Sequence, residues 1–425
     1  MPDREPMPGR AHHGLPRLLA GLDPGAGAMT LAEHERVHGP LPAGGPALID
    51  EVARSGLRGR GGADFPTAVK LEAVARRRRA SAVVVNAGET EPASAKDRLL
   101  LTRLPHLVLD GAVLAAEACG AREVIVKLAA EAVMSIDAVE QAIAARSGDG
   151  LGIRVVAGPG GYVSGEESAV IQQLNGGPAL PTLVPPRPYE RGYRGRPTLV
   201  QNAETLAQIA LIARFGAGWF RELGTEADPG SALVTISGAV AEPGVYELAF
   251  GTAMTDLLGA AGGPTEQLRA LLVGGYFGTW VEVSRAVNLR LAREDLRTVG
   301  CSLGSGVLIA LGESECGLHE SARVIDYLAS ESAGQCGPCL YGLRAIADGV
   351  AALAAGTASD AERERLLRWT REVRGRGACH HPDGAVRFVQ SSLEVFADEV
   401  QAHRRGRCVE LAAASAPASR AGSLW

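Results

Sequence analysis

The chain has 425 residues, 46% of them hydrophobic, with 43 Lys and Arg against 48 Asp and Glu for a formal net charge of −5. That length exceeds one ordinary core, so two or three domains are expected, and the mild charge speaks against a dedicated nucleic-acid or anionic-membrane surface. Seven cysteines in a large chain without an export signal point to reduced thiols or metal ligands rather than a disulfide framework.

Residues 1–40 mix Pro, Gly and both charge signs and lack the apolar core of a secretory signal, so a flexible N-terminal segment is expected. His12 and His13 within it read as solvated tail residues. GLRGRGGADFPTAVK follows at 56–70. Gly59, Gly61 and Gly62 permit tight turns and close approach of a ligand, Phe65 and Pro66 stiffen the exit, and Lys70 adds a cation on the next helix. The combination suits phosphates and a flat ring, and also an ordinary Gly-rich surface loop. The run RRRR at 76–79 ends that helix, where cations complement the dipole.

From 81 to 157, β-branched runs (SAVVVN, EVIVKL, IRVVAG) alternate with helical patterns. This is the β-α-β-α-β signature of a parallel sheet, whose ligands sit at the carboxyl ends of strands. VVVNAGETEP at 83–92 brings Asn86, Glu89 and Glu91 to such an end. The longest apolar stretch, 107–118, is interrupted by Asp110 and Glu117 and is too short to span a bilayer. In AGPGGYVSGEESAVIQQLNGG, 157–177, the spacing is not G-x-G-x-x-G. Gly-rich turns instead lead to Gly165, Glu166 and Glu167 at a helix start, with Tyr162 beside them as part of a ring-binding surface; the acids also favour the helix dipole. The proline-rich stretch 178–197 is expected to be a long ordered loop or lid.

ALVTISGAV, PGVYEL, MTDLLGAAGG, LLVGGYFGTWV and GVLIAL then form a small α+β unit around one sheet, and the pattern from 318 onward is that of an antiparallel helical bundle. There Cys336 and Cys339 form C-x-x-C and Cys379 lies 40 residues further on. Three such thiols suit an iron–sulfur cluster; zinc with His380 or His381, or an inert thiol pair, are the alternatives.

GLRGRGGADFP, NAGETEP, GYVSGEESA and the cysteine set, in that order over residues 45 to 395, resemble the flavin-bearing 51K family of NADH:quinone oxidoreductase, complex I, and its relatives in NAD-linked hydrogenases and formate dehydrogenases. The resemblance implies an α/β Rossmann-like FMN-binding domain at 41–228, a ubiquitin-like SLBB domain at 229–315 and a helical iron–sulfur domain at 316–411, while the Ala/Ser-rich composition of 412–425 is that of a disordered tail. It implies that Gly59, Arg60, Gly61, Gly62, Phe65, Lys70, Asn86, Glu89, Tyr162, Gly165 and Asn202 border FMN and NADH. Glu91, Glu166 and Glu167 fall at its catalytic positions, and Cys336, Cys339 and Cys379 at those of [4Fe–4S] ligands. The implied chemistry is hydride transfer from NADH to FMN, then one-electron steps to the cluster and to a small [2Fe–2S] or ferredoxin-like protein and other oxidoreductase subunits. Location would be cytoplasmic and peripheral to a membrane complex, with no nucleic acid and no direct membrane insertion.

The sequence also departs from that pattern. Asp64 stands where the family has Gly, Gly88 where it has Asp, Val184 and Arg187 where it has Lys and Phe, and the aromatic after Lys70 is missing. Several of these positions help hold the nucleotide, so NADH use is less secure than FMN binding. Ala333 replaces the first cluster cysteine, leaving a three-iron cluster, a four-iron cluster with a non-Cys ligand (His380, Ser332 or Asp383) or exogenous thiol, or no cluster. Three functions stay open: an NADH-oxidising flavoprotein, an FMN and iron–sulfur relay fed by a ferredoxin-like partner, and a redox-inactive scaffold.

Overall fold

The computed structural model describes residues 14–77, 81–146 and 151–408. The expectations for His12, His13, Arg78, Arg79 and the tail at 412–425 fall outside the described residues.

The β-branched runs form a parallel sheet: β1 (Ser81–Asn86), β2 (Ala121–Ala129), β3 (Gly152–Gly158) and β4 (Thr198–Asn202), in the order β3-β2-β1-β4. Alternation of side chains divides it into two faces. Val83, Val85, Val124, Val126 and Leu199 join the core that includes helices Pro105–Cys119 and Ala203–Arg221; Ala82, Val84, Ile125 and Val200 pack with Val170 and Ile171 of helix Glu167–Leu174. The first two helices touch so closely that a Cβ on Gly111 would lie 1.8 Å from the Leu206 carbonyl oxygen. Asp110, which interrupts the apolar stretch, is buried inside this core. Burial opposes its charge, but His34 (2.7 Å), Arg146 and Arg214 hold its carboxyl well below the usual range.

His34 belongs to the segment expected to be flexible, and from Gly14 onward that expectation fails. Thr30 and Glu33 form a reciprocal cap that starts helix Leu31–His38. Leu18 is fully buried, the Arg17 amide donates to Glu247 (2.7 Å), and the Arg17 guanidinium stacks 3.8 Å over Trp219. The apolar and aromatic contacts of these few residues outweigh the ordering entropy that a Pro- and Gly-rich composition suggests. The proline-rich stretch after 178 also contains one helical turn, Pro188–Arg191.

The second unit has β5 (Ser231–Gly238), β6 (Gly244–Ala249), β7 (Leu268–Val273), β8 (Thr279–Glu282) and β9 (Val307–Gly312) in one mixed sheet, order β6-β5-β9-β7-β8. LLVGGYFGTWV is therefore a hairpin, broken at Gly274 and Gly275, whose φ values of 98° and 81° favour glycine. One face packs with helix Met254–Ala260; the other, through Leu272, Trp280 and Ile309, packs with the C-terminal helices. Those are Gly317–Ser330, Arg344–Ala354, Asp360–Val373, His381–Val395 and Ala397–His403. Among the described residues no single helix is long and apolar enough to cross a membrane; the one bent pair of sufficient length, Lys96–Arg103 with Pro105–Cys119, turns by 96°.

Candidate functional site

Register places Lys127, Asn86 and Asn202 opposite one another on β2, β1 and β4. Their side chains thus form one polar row on the Val170 side, at the carboxyl ends of the strands. Asn86 donates from Nδ2 to the Gly165 carbonyl (2.8 Å), while its Oδ1 is buried without a partner. Lys127 is fully buried and its Nζ is also unpartnered; burial lowers its pKa, partly offset by Glu131. A Cβ on Gly88 would lie 3.2 Å from that Nζ and 4.0 Å from Asn86 Oδ1. An orphaned donor and an orphaned acceptor therefore flank one bare stretch of backbone. Asn202 caps helix Ala203–Arg221 through Glu204 N (3.0 Å), and Gly61 approaches so closely that a Cβ there would meet Asn202 Cβ at 3.2 Å.

Glu91 joins this edge to the other two units. Its Oε2 accepts from the Tyr276 amide (2.8 Å) and the Tyr162 hydroxyl (3.1 Å). Burial pushes its carboxyl up to about 7, against the pull of those donors and the Ala93 amide. The Tyr162 ring meets Phe277 edge-on (centroids 4.7 Å) and His381 (5.7 Å), and its amide donates to Glu331 (2.7 Å), just before the Ala333 loop. His381 in turn is locked by its Nε2 against the Leu328 carbonyl (2.8 Å).

The other expected site residues are each held by contacts of their own. Arg60 is buried at the junction with the second unit, donating to the Ser231 carbonyl (3.1 Å) and stacking 4.6 Å from Phe250. Its side chain lines a cavity shared with Arg58, Asp64, Glu204 and Arg293. Glu89 caps helix Lys96–Arg103, accepting from the Asp97 and Arg98 amides (both 3.1 Å). Glu166 caps helix Glu167–Leu174 through the Ser168 and Ala169 amides (2.8 and 3.1 Å). Lys70 pairs with Glu167 (2.8 Å), Gly59 and Gly62 shape the loop, and Phe65 at its exit is 45% exposed. Asp64 has φ 48°, which explains a glycine preference there, and ion pairs with Arg58 (3.0 Å) and Arg293 (3.3 Å) hold the side chain. The missing aromatic after Lys70 does not open the site, because Leu71 is fully buried in the first core.

Cys336, Cys339 and Cys379 converge around the turn Pro338–Leu343 and the start of helix His381–Val395. Burial and then the neighbouring Cys336 thiol push Cys339 up to about 12. Cys379 is raised by burial, with Cys336, Glu166 and Asp383 adding to the effect. Cys336 is lowered despite burial, because the Ala378 and Cys339 amides point at its sulfur. The sulfurs thus sense one another and the first unit's Glu166. Ala333 offers no ligand, Asp383 accepts from the Gly375 amide (2.6 Å), and His380 is exposed.

The polar row fits FMN: the edge of its ring system carries both an N–H donor and carbonyl acceptors, matching Asn86 Oδ1 and Lys127 Nζ. The thiol set fits a cluster with three cysteine ligands. Sequence reasoning missed Lys127, Tyr276 and Glu331, and it weighed His381 as a zinc ligand rather than as a partner of the Tyr162 ring. Only Lys127 had a signal, as a lone cation in an otherwise apolar strand next to the one ending in Asn86.

A parallel sheet with an unpartnered polar row, coupled by aromatic side chains to a thiol-bearing helical bundle, defines a flavin and iron–sulfur electron-transfer protein. Residues 52–211 match the Nuo51 FMN-binding domain, 233–275 the SLBB domain and 319–403 the iron–sulfur binding region of NADH-ubiquinone oxidoreductase-F. The chain is 33% identical over 372 residues to the F 2 component of the NADH-quinone oxidoreductase of Rhizobium meliloti, covering 84% of this chain and 88% of that one. It is 34% identical over 375 residues to the F component of the same enzyme from Streptomyces coelicolor, covering 85% and 83%. An NAD+-reducing [NiFe]-hydrogenase structure in the H2-reduced state superposes with a TM-score of 0.78 at 34% identity, over 84% of this chain; this chain spans 62% of the hydrogenase chain. The protein belongs to the family of the F component, the 51K flavoprotein, of NADH-quinone oxidoreductase.

Proposed function

We propose that the chain is the NADH-oxidising flavoprotein of a multi-subunit oxidoreductase, passing electrons through FMN to an iron–sulfur cluster and on to a partner. The carrying observation is the pair of unpartnered buried atoms, Lys127 Nζ and Asn86 Oδ1, on a row tied to the Gly165 carbonyl and facing the bare backbone of Gly88. FMN, when bound, supplies the conversion of a hydride's electron pair into single electrons.

The chain's own residues position and tune. Asn86 Oδ1 accepts and Lys127 Nζ donates, orienting the ring edge, and the lysine charge favours electron density there. Gly61, Gly62 and Gly165 keep the walls close; a Cβ on Gly165 would already strike Thr90 Oγ1 at 2.8 Å. Glu167, held by Lys70, and Glu166, held by its cap, set the charge at the mouth without moving protons. Glu91 fixes the Tyr162 hydroxyl. Cys336, Cys339 and Cys379 hold the cluster, with exposed His380 the best candidate for its open position. Leu340 and Tyr341, 54% and 76% exposed beside the thiols, offer a surface for a ferredoxin-like [2Fe–2S] partner.

Anaerobic purification with flavin, iron and sulfide assays and an NADH titration tests the reading. NADH should bleach the flavin, and Cys336→Ala should remove iron. Flavin reduced by a ferredoxin but not by NADH would favour the relay instead; colourless protein after reconstitution with FMN, iron and sulfide would favour the scaffold. The relay draws less support here, since Leu71 takes away part of its motive.

A further inference from the structure

Four side chains converge at the end of helix Gly317–Ser330 remote from the Ala333 loop. Cys316 precedes that helix, His319 stands in its first turn, His403 ends helix Ala397–His403, and Cys408 follows a turn through Gly406, φ 68°. One ligand-capable atom from each lies within 4.8 Å of those of the other three, and Cys316 Sγ is 3.3 Å from His403 Nε2. The pattern is C-x2-H followed by H-x4-C, two short-spaced pairs brought together by the fold.

The imidazoles are already aimed. The Ala354 carbonyl, at the end of helix Arg344–Ala354, accepts from His403 Nδ1 and from His319 Nε2 (3.2 Å). A backbone carbonyl that fixes the tautomer and swing of a ligating histidine is the usual support around a metal. It turns the His403 lone pair on Nε2 toward Cys316.

We propose that Cys316, His319, His403 and Cys408 bind one zinc ion in a tetrahedral Cys2His2 site that staples the helical unit. Two thiolates and two neutral imidazoles give the ion zero net charge, which suits a site where Cys316 and His403 are buried. A mixed S2N2 set favours zinc over an iron–sulfur cluster, which prefers thiolates throughout. Glu399 is the carboxylate in contact: its Oε2 is 3.3 Å from Cys316 Sγ and accepts from the Leu318 amide (3.1 Å), while Oε1 pairs with Arg269. Glu399 opposes loss of the Cys316 proton, a like charge that Arg269 partly neutralises and the bound ion offsets, and two protons are released per zinc bound, one from each cysteine. The ion pins two helix ends and, through the Ala354 carbonyl, a third; one of them is the far end of the helix that delivers Glu331 to Tyr162.

The inference stands on these four residues and not on the flavin or cluster assignments, and its test separates them. Zinc and iron are measured on the same samples of full-length protein: wild type, Cys408→Ser, His319→Gln and Cys336→Ser. The expected result is one zinc per chain in the wild type and in Cys336→Ser, and loss of that equivalent in the other two with flavin retained. X-ray absorption of the wild type, which does not depend on any variant folding, should give two sulfur and two nitrogen scatterers at about 2.3 and 2.0 Å. No zinc in the wild type after reconstitution, zinc lost only in Cys336→Ser, or a Cys316–Cys408 disulfide in the anaerobically prepared protein would each overturn the proposal.

Discussion

Glu91→Gln should alter the pH dependence of stability in a way that no surface acid would. Burial raises the Glu91 carboxyl from 4.5 to about 7. In the folded chain it keeps its proton up to that pH, whereas the unfolded chain releases it above about 4.5. Between these values the unfolded state binds fewer protons, so the group's contribution to stability falls as pH rises and levels off above about 7. The span of about 2.5 pKa units corresponds to about 3 kcal/mol. Gln keeps the geometry: its amide oxygen can accept from Tyr276 N and Tyr162 Oη in place of Oε2, and its NH2 replaces an oxygen that accepts only a long bond from Ala93 N (3.4 Å). Urea unfolding of both proteins from about pH 5 to about pH 8, with equal m-values, gives the difference curve. It should climb toward about 3 kcal/mol in favour of Gln as pH rises. A flat difference would refute the argument that Glu91 stays protonated in the fold.

Lys127→Met should act in opposite directions on the two forms. It removes an unpartnered buried cation and so stabilises the flavin-free protein, yet it weakens FMN binding by about tenfold or more, the value of one charged hydrogen bond. Fluorescence titration with FMN, alongside thermal unfolding, checks both, and unchanged affinity would remove Lys127 from the site. At Asp64, with φ 48°, Gly relieves about 1 kcal/mol of backbone strain while giving up the Arg58 and Arg293 pairs, so Asp64→Gly should be near neutral. Asp64→Ala gives up the pairs and keeps the strain, and should cost about 1 kcal/mol more than the glycine variant in denaturant melts.

The parallel sheet was legible because SAVVVN, EVIVKL and IRVVAG are β-branched runs at crossover spacing, and Asn86 was legible as a polar strand end; Asn202 came only through the family resemblance, and its strand β4 was not read. Lys127 was not, since only the register that sets it opposite Asn86 turns a lone cation in an apolar strand into part of a row. The contacts of Arg60 and Glu89 were not legible for the converse reason. Their composition suits a phosphate or ring site, but side-chain direction sends one to Ser231 and Phe250 and the other to a helix cap. The order of residues 14–40 rests on partners as distant as Asp110, Trp219 and Glu247, which no local window contains. Cys316, His319, His403 and Cys408 escaped notice because each pair alone is unremarkable and the fold supplies the other half.

The contacts around Tyr162 bear on how Ala333 should be read. If loss of the first cysteine had released this region from service, the neighbouring wall would have little reason to stay fitted to the thiols. Instead Glu331, two residues before Ala333, accepts from the Tyr162 amide. Tyr162 meets Phe277 and His381, and Gly384 packs so closely on Phe277 that a Cβ there would lie 2.4 Å from the ring. The His381 amide donates to Cys379, and Glu166 from the first unit is near enough to raise that thiol. Apart from the His381 amide, which stays within the helical unit, these contacts span two units, and together they constrain the distance between the polar row and the sulfurs. A single missing ligand changes the coordination of one iron; it leaves that distance, on which electron transfer between flavin and cluster depends, under the control of side chains that are all still in place.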